Sequence, residues 1–183
     1  MTMEPSRKEP SENSDTFKTD EYANNPAILL WLIRHGRTNG NEKNIYRGWS
    51  NAEFAQLDEK GRQDARDAGI YLKGLGVESP VIIVDDLART QETAKIIAEI
   101  LGITEIITDK RLRPIHVGDY TGKSKTDYPL EEYMKNRSNK IPGGESLGGF
   151  DTREAKIFGD IVEAIGEMRK RTGKPICFIV IVH

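Results

Sequence analysis

The chain has 183 residues and a formal net charge of −2. This length allows one domain with its own hydrophobic core, and the charge gives no indication of a nucleic-acid-binding or membrane-surface protein. The single cysteine, Cys177, excludes a disulfide within the chain and fits a cytoplasmic protein. Residues 1–25 are polar and lack the apolar core of a signal peptide, so we predict a disordered N-terminal tail before a domain over residues 26–183.

Apolar runs alternate with helical patterns through the first half of this domain. The run Ile28–Ile33 is almost continuously apolar, which is typical of a strand covered on both faces. A helix that Asp58 can cap is predicted to run to about Gly74. The apolar run Val81–Val84 predicts a second strand, and Leu87–Leu101 predicts a second helix, with a glycine directly after it as the stop.

The second half continues the alternation. Glu105–Thr108 predicts a weaker strand, Thr152–Arg171 a third helix, and Ile176–Val182 a last, almost continuously apolar strand. The segment Gly118–Gly149 is polar and rich in Gly, Pro, Lys and Tyr, and we expect a solvated, loop-rich insertion above the sheet. Together the elements predict an α/β domain with three layers, α/β/α, around a mostly parallel sheet.

Residues with phosphate-binding or nucleophilic chemistry follow three of the predicted strands. Arg34 and His35 come directly after the first strand, Arg89 follows the second at the start of a helix, and His183 follows the last. Ligands of open α/β sheets bind at the carboxyl ends of the strands, so these side chains can meet over one crevice. Arginine forks bind phosphate oxygens, and a neutral imidazole is a competent nucleophile.

Other kinds of active site fit the sequence less well. The chain has three histidines, and they are scattered without the spacing of a zinc site. A serine or cysteine triad has no nucleophile-elbow motif here. We therefore predict a metal-free site without a cofactor.

Several ordered motifs resemble the histidine phosphatase superfamily, the phosphoglycerate-mutase-like fold, in its small phosphatase branch. The resemblance covers about residues 28–183 and lies in these segments: Leu32-Ile33-Arg34-His35-Gly36-Arg37-Thr38-Asn39, Tyr46-Arg47-Gly48, Leu57-Asp58-Glu59-Lys60-Gly61, Asp86-Leu87-Ala88-Arg89-Thr90, Pro142-Gly143-Gly144-Glu145-Ser146-Leu147 and Val182-His183. Each segment alone is common, whereas the ordered set is specific.

The resemblance implies a role for each matched residue. His35 matches the histidine that takes the phosphoryl group and becomes phosphohistidine. Arg34, Arg89 and His183 match the residues that hold the phosphoryl oxygens. Asn39 and Arg47 resemble further phosphate or substrate contacts. No metal is implied, because the two arginines supply the positive charge that Mg²⁺ supplies elsewhere.

The sequence departs from the family pattern at two places. Pro114 occupies the position of the acidic residue that protonates the leaving oxygen, and proline has no proton to transfer. His116 and Asp119 are nearby candidates for that role. Relatives also continue past the position of His183, so we expect the domain to lack the family's C-terminal segment.

Three functions are consistent with this resemblance. The first is a phosphatase that hydrolyses a small phosphomonoester through phospho-His35. The second is a phosphoglycerate mutase, although true mutases carry a longer insertion between the positions of Gly122 and Pro142. The third is a non-catalytic binder of a phosphorylated ligand or an inactive remnant, which the proline at position 114 would explain.

Overall fold

The computed structural model describes residues 29–173 and 176–183, so the predicted tail over residues 1–25 lies outside the described residues. A four-stranded sheet forms the centre of the molecule, in the order β1-β4-β2-β3. All three strand pairs are parallel, which confirms the predicted α/β class. The strands are β1 (Leu29–Arg34), β2 (Val81–Val84), β3 (Ile106–Thr108) and β4 (Cys177–Val182).

Helices fill the connections between the strands. They are α1 (Asn39–Glu42), α2 (Glu59–Gly74), α3 (Ala88–Leu101), α4 (Glu131–Lys135) and α5 (Leu147–Thr172), with short 3-10 turns at Glu53–Ala55, Lys110–Leu112 and Gly118–Tyr120. As predicted, Asp58 caps α2, because its carboxylate accepts the Gly61 N–H at 2.8 Å. None of the helices in the described ranges is long and apolar enough to cross a membrane.

Helix α5 begins earlier than the sequence pattern predicts. Its first residue is Leu147 rather than Thr152. Ser146 provides the cap, since its hydroxyl oxygen accepts the Gly149 N–H at 3.1 Å. Helix propensity does not predict this start, because two of the first three residues are glycines and glycine is a poor helix former.

Two apolar layers lie on opposite faces of the sheet. Ile179 and Ile181 of β4 pack with residues of α2 and α3 on one face. Phe178 and Val180, which alternate with them, pack with the buried residues of α5 on the other face. This alternation follows from the two-residue repeat of a strand and confirms the three-layer α/β/α architecture.

Two expectations about burial are wrong. β1 was expected to be covered on both faces, but it is an edge strand of the described sheet, and Leu29 and Leu32 are 37% and 56% exposed. The segment Gly118–Gly149 was expected to be solvated, but Leu130 and Ile141 are buried in a small apolar cluster of their own. Tyrosine side chains, which can bury a ring while keeping a polar tip, allow a polar segment to build this cluster.

Candidate active site

His35 lies in the turn that leaves β1, and the residue is buried, with 5% exposure. Its backbone N–H donates to the Val182 carbonyl at 2.9 Å, which fixes the turn against β4. Nδ1 is 2.7 Å from the Gly36 carbonyl oxygen, and because a carbonyl only accepts, Nδ1 carries the proton. Nε2 therefore holds a lone pair, and it is buried without a hydrogen-bond partner among the described residues.

The charge state of His35 is also determined by its surroundings. Burial lowers the pKa of the ring to about 2, and the positive side chains of Arg89 and Arg47 contribute in the same direction. Protonation would place a positive charge in a desolvated position next to other cations. His35 is therefore neutral at physiological pH, with a lone pair on Nε2.

Two glycines let the His35 turn contact the start of α2 directly. A Cβ on Gly36 would lie 2.1 Å from the Gly61 carbonyl oxygen, and a Cβ on Gly61 would lie 2.0 Å from the Arg37 carbonyl oxygen. Neither glycine can carry a side chain without moving the backbone. Gly36 in the turn and Gly61 in the first turn of α2 are therefore both required for the same close contact between the two segments.

Arg89 is a fully buried arginine in the first turn of α3, with 1% exposure. Its guanidinium donates to the Gly48 carbonyl at 2.9 Å and to the Ser50 carbonyl at 3.4 Å, and it lies 3.3 Å from His183 Nδ1. Burial lowers its pKa to about 10, so it remains charged at neutral pH. Because these partners are neutral, no carboxylate within residues 29–173 and 176–183 is hydrogen-bonded to the buried charge, and such a charge favours an incoming anion.

His183 follows β4 and lies beside His35, with the two ring centroids 5.1 Å apart. Its Nε2 is 2.5 Å from a carboxylate oxygen of Asp85, and Asp85 is completely buried. Burial lowers the pKa of His183, while the Asp85 carboxylate acts in the opposite direction. The structure thus brings His35, Arg89 and His183 together at the carboxyl end of the sheet.

Arg47 is a further cation near His35, Arg89 and His183. Arg47 donates to the Thr38 hydroxyl at 2.9 Å and to the Asn41 side-chain oxygen at 2.5 Å. Burial lowers the pKa of Arg47, and the neighbouring Arg34 lowers it further. Burial, with Arg47 and Arg34, also lowers the pKa of Lys125. Arg34 itself is exposed at the end of β1. Arg34, Arg47 and Lys125 together form a positive region.

Sequence reasoning missed two residues of this region. Asn41 holds Arg47, whereas the predicted contact Asn39 donates its side-chain amide to the Glu53 carbonyl at 3.1 Å; a substrate contact by Asn39 stays a prediction. Asp85 directly follows β2, so the rule that drew attention to the carboxyl ends of the strands would have found it.

The loop that carries the proton-donor candidates is held against Trp49. The Trp49 ring N–H donates to the Pro114 carbonyl at 2.7 Å, and the His116 ring lies 4.2 Å from the Trp49 ring centroid. Trp49 is flanked in the chain by Gly48 and Ser50, whose carbonyls bind Arg89. Asp119 lies further along the loop, exposed in a 3-10 turn.

A cavity of about 390 Å³ lies beside the turn after β1. It is lined by Arg34, His35, Asn41 and side chains of α2 and α3, but neither Arg89 nor His183 borders it. The Arg89 guanidinium and the His183 ring lie on another side of His35, outside this cavity. Among the described residues, no group of three or more His, Cys, Asp or Glu could hold a metal ion.

The profile of the histidine phosphatase superfamily, branch 1, matches residues 30–171. The chain belongs to this superfamily. A 2,3-bisphosphoglycerate-dependent phosphoglycerate mutase of Parvibaculum lavamentivorans is 38% identical over 128 residues, which are 65% of this chain and 60% of that protein. A corresponding mutase of Allorhizobium ampelinum is 35% identical over 64% of this chain and 59% of its own length. The chain thus matches about 60% of the length of these curated relatives.

Solved histidine phosphatases share the fold. A mycobacterial glucosyl-3-phosphoglycerate phosphatase, determined with VO3, superposes with a TM-score of 0.68 at 26% identity, covering 86% of this chain and 76% of that chain. An α-ribazole-5'-P phosphatase of Escherichia coli superposes with a TM-score of 0.66 at 21% identity, covering 85% and 74%. The mycobacterial phosphatase has also been solved with inorganic phosphate.

Proposed function

We propose that this histidine phosphatase hydrolyses a small phosphomonoester through a phosphohistidine on His35. The observation that carries the proposal is the His35 ring, whose Nε2 is buried, holds a lone pair and has no partner among the described residues. The buried Arg89 guanidinium and the His183 ring lie next to it. A phosphoryl group suits this arrangement, because its phosphorus can accept the lone pair of Nε2 and its oxygens can accept hydrogen bonds from neighbouring donors such as Arg89.

The proposed reaction has two steps. In the first, Nε2 of His35 forms a bond to phosphorus while the bond to the ester oxygen breaks, and Arg34, Arg89 and His183 hold the phosphoryl oxygens. In the second, water attacks phosphorus and the nitrogen–phosphorus bond breaks, which releases inorganic phosphate. The Gly36 carbonyl, 2.7 Å from Nδ1, stabilises the positive charge that the phosphorylated ring carries. No metal takes part, since the arginines supply the positive charge.

The leaving oxygen needs a proton that Pro114 does not have. Of the two candidates, His116 is favoured by its contacts, because its ring packs on Trp49 next to the carbonyls that bind Arg89. Asp119 is exposed further along the loop and is the less favoured donor. Arg47 is proposed as an additional substrate contact, held in place by Asn41.

The phosphoglycerate mutase reaction is the second candidate. The curated relatives named above carry that activity in their names, and the positive region formed by Arg34, Arg47 and Lys125 suits a ligand with a second anionic group. The two reactions differ in the acceptor of the phosphoryl group on His35. Water is the acceptor in a phosphatase, whereas a phosphoglycerate is the acceptor in a mutase.

The decisive experiment traps the phosphoenzyme. Brief incubation with a labelled phosphomonoester, followed by denaturation, should leave an acid-labile label on the wild-type chain. His35→Ala should abolish the label, while Asp67→Ala, a change at an exposed position on α2, should retain it. Label that persists in His35→Ala would contradict the assignment of the nucleophile.

The same samples separate the alternative functions. Release of inorganic phosphate without added phosphoglycerate supports the phosphatase. Label that is discharged only by a phosphoglycerate supports the mutase. A chain that binds a phosphate analogue but never becomes labelled is a non-catalytic binder.

A further inference from the structure

Asp85 uses its two carboxylate oxygens for different purposes. Oδ1 accepts the Leu87 N–H at 2.7 Å and the Thr90 hydroxyl at 2.6 Å, and so binds donors at the start of α3. Oδ2 lies 2.5 Å from Nε2 of His183. The carboxylate is completely buried, and His183 lies 98 positions away in the sequence.

The neighbours of His183 determine which ring nitrogen carries the proton. The Arg89 guanidinium can only donate, so Nδ1, which lies 3.3 Å from it, accepts and has no proton. Nε2 then carries the proton and donates it to Asp85. The charged and titratable groups that face this ring are Asp85 after β2, Arg89 on α3, Arg47 in the loop after α1, and the neutral His35 after β1.

A bound phosphoryl group requires a hydrogen-bond donor at Nδ1 of His183, whereas Arg89 requires an acceptor there. Phosphoryl oxygens are acceptors, and they would face a nitrogen that also presents a lone pair, so the two would repel. A proton on Nδ1 turns this contact into a charge-assisted hydrogen bond. The imidazolium would then lie between two anions, the phosphoryl group on one side and Asp85 on the other, which favours the charged form.

We propose that Asp85 is a positioning residue that makes His183 take up one proton from solvent when an oxyanion binds. The proton forms a new bond to Nδ1, the Nε2–H bond to Asp85 is kept, and the proton returns to solvent when the anion leaves. Asp85 receives three hydrogen bonds in this arrangement, from the Leu87 N–H, the Thr90 hydroxyl and His183 Nε2. The inference rests on the proposed phosphate-binding site, but it adds a proton linkage that phosphate binding by itself does not require.

Calorimetry with tungstate tests the linkage without turnover, since tungstate is a tetrahedral oxyanion that stays doubly charged near neutral pH. Binding heats are measured at about pH 7.5 in two buffers that differ in their enthalpy of ionisation. The difference gives the number of protons exchanged, and we expect uptake of about one proton per tungstate bound. Binding without proton uptake overturns this inference alone, and absence of binding overturns the phosphate site as well.

Asp85→Asn separates positioning from a merely structural role. The amide oxygen can keep the donors of Leu87 and Thr90, which directs the NH₂ group toward Nε2 of His183. With Nε2 accepting from that NH₂ group, the neutral ring needs only its single proton on Nδ1 to donate to the bound anion. Uptake should therefore fall to about zero, and affinity should decrease, because the charged form is lost. Asp67→Asn, the same change at an exposed position, should behave like wild type.

A second variant keeps the test independent of how Asp85→Asn folds. His183→Gln should also abolish proton uptake, because the group that takes the proton is gone. Undiminished uptake in either variant would place the proton elsewhere and would overturn the proposal. If Asp85 only supports α3, Asp85→Asn should lower the free energy of unfolding and leave the proton count unchanged.

Discussion

Replacing Arg89 by alanine separates what this buried cation does for binding and catalysis from what it does for folding. The guanidinium is 1% exposed, and its pKa of about 10 keeps it charged at neutral pH. If it donates two charge-assisted hydrogen bonds to the phosphoryl group, at about 1.5–3 kcal/mol each, Arg89→Ala loses roughly 3–6 kcal/mol of transition-state stabilisation. That loss corresponds to a decrease of roughly 10²–10⁴-fold in kcat/KM.

The same substitution has a smaller expected effect on stability. The buried Gly48 carbonyl loses its donor, which costs about 1–3 kcal/mol in the free energy of unfolding. The partners of this guanidinium in the described part of the chain are uncharged, so removing the buried charge offsets part of this cost. Arg89→Lys keeps the charge but lacks the planar fork, so we expect its kcat/KM to lie between those of Arg89→Ala and wild type.

The assay compares kcat/KM for p-nitrophenyl phosphate with urea unfolding on the same preparations. Arg66→Ala is the matched control, because Arg66 lies on α2 in an exposed ion pair with Glu59, and it should change neither quantity by more than about 0.5 kcal/mol. A folded Arg89→Ala variant whose kcat/KM stays within a few fold of wild type would refute the reasoning.

Three further predictions follow from the proton donor, the buried histidine and the close backbone contact. Because Pro114 cannot protonate the leaving oxygen, aryl phosphates should react faster than alkyl phosphates, and Pro114→Glu should raise the rate for alkyl phosphates selectively, by up to about 10²-fold. His116→Ala should slow the hydrolysis of alkyl esters more than Asp119→Asn does. The reverse order would favour Asp119 as the donor. Burial lowers the pKa of His35 to about 2 from its ordinary 6.5, so between these values the unfolded chain binds more protons than the folded chain. The free energy of unfolding should therefore fall as the pH drops below about 6.5. In denaturant titrations, His35→Asn should reduce the pH dependence of this free energy by up to about 1.4 kcal/mol per pH unit, and an unchanged pH dependence would contradict a neutral buried ring. Gly61→Ala should lower the free energy of unfolding by about 1–3 kcal/mol, because its Cβ would overlap the turn after β1, and wild-type stability would mean that the contact is looser than described.

The order of the elements and the convergence of three candidate residues were predictable from the sequence. Apolar runs marked the strands, and the rule that ligands bind at the carboxyl ends of parallel strands brought together His35, Arg89 and His183, which are far apart in the chain. Local patterns suffice for this, because apolar runs and helix capping are short-range features of the chain. Asp58 as the cap of α2 and Gly102, which ends α3 in a left-handed conformation, are examples.

Other features depended on tertiary packing. The exposed leucines of β1 follow from its place at the edge of the described sheet, and strand order is not encoded in the strand's own residues. The burial of Arg89 against the Gly48 and Ser50 carbonyls could not be read from a position that is normally a solvated helix residue. The Gly118–Gly149 segment has a polar composition, yet its apolar residues pack together in a buried cluster.

The protonation states of the histidines in the site were the features least predictable from the sequence. The lone pair on Nε2 of His35 depends on the 2.7 Å contact of Nδ1 with the Gly36 carbonyl. The tautomer of His183 depends on Arg89 at one ring nitrogen and on Asp85 at the other. The sequence determined which residue types reach the carboxyl end of the sheet, whereas the tertiary structure decided which atoms face one another, because hydrogen-bond partners are set by distances and angles between residues that are remote in the chain.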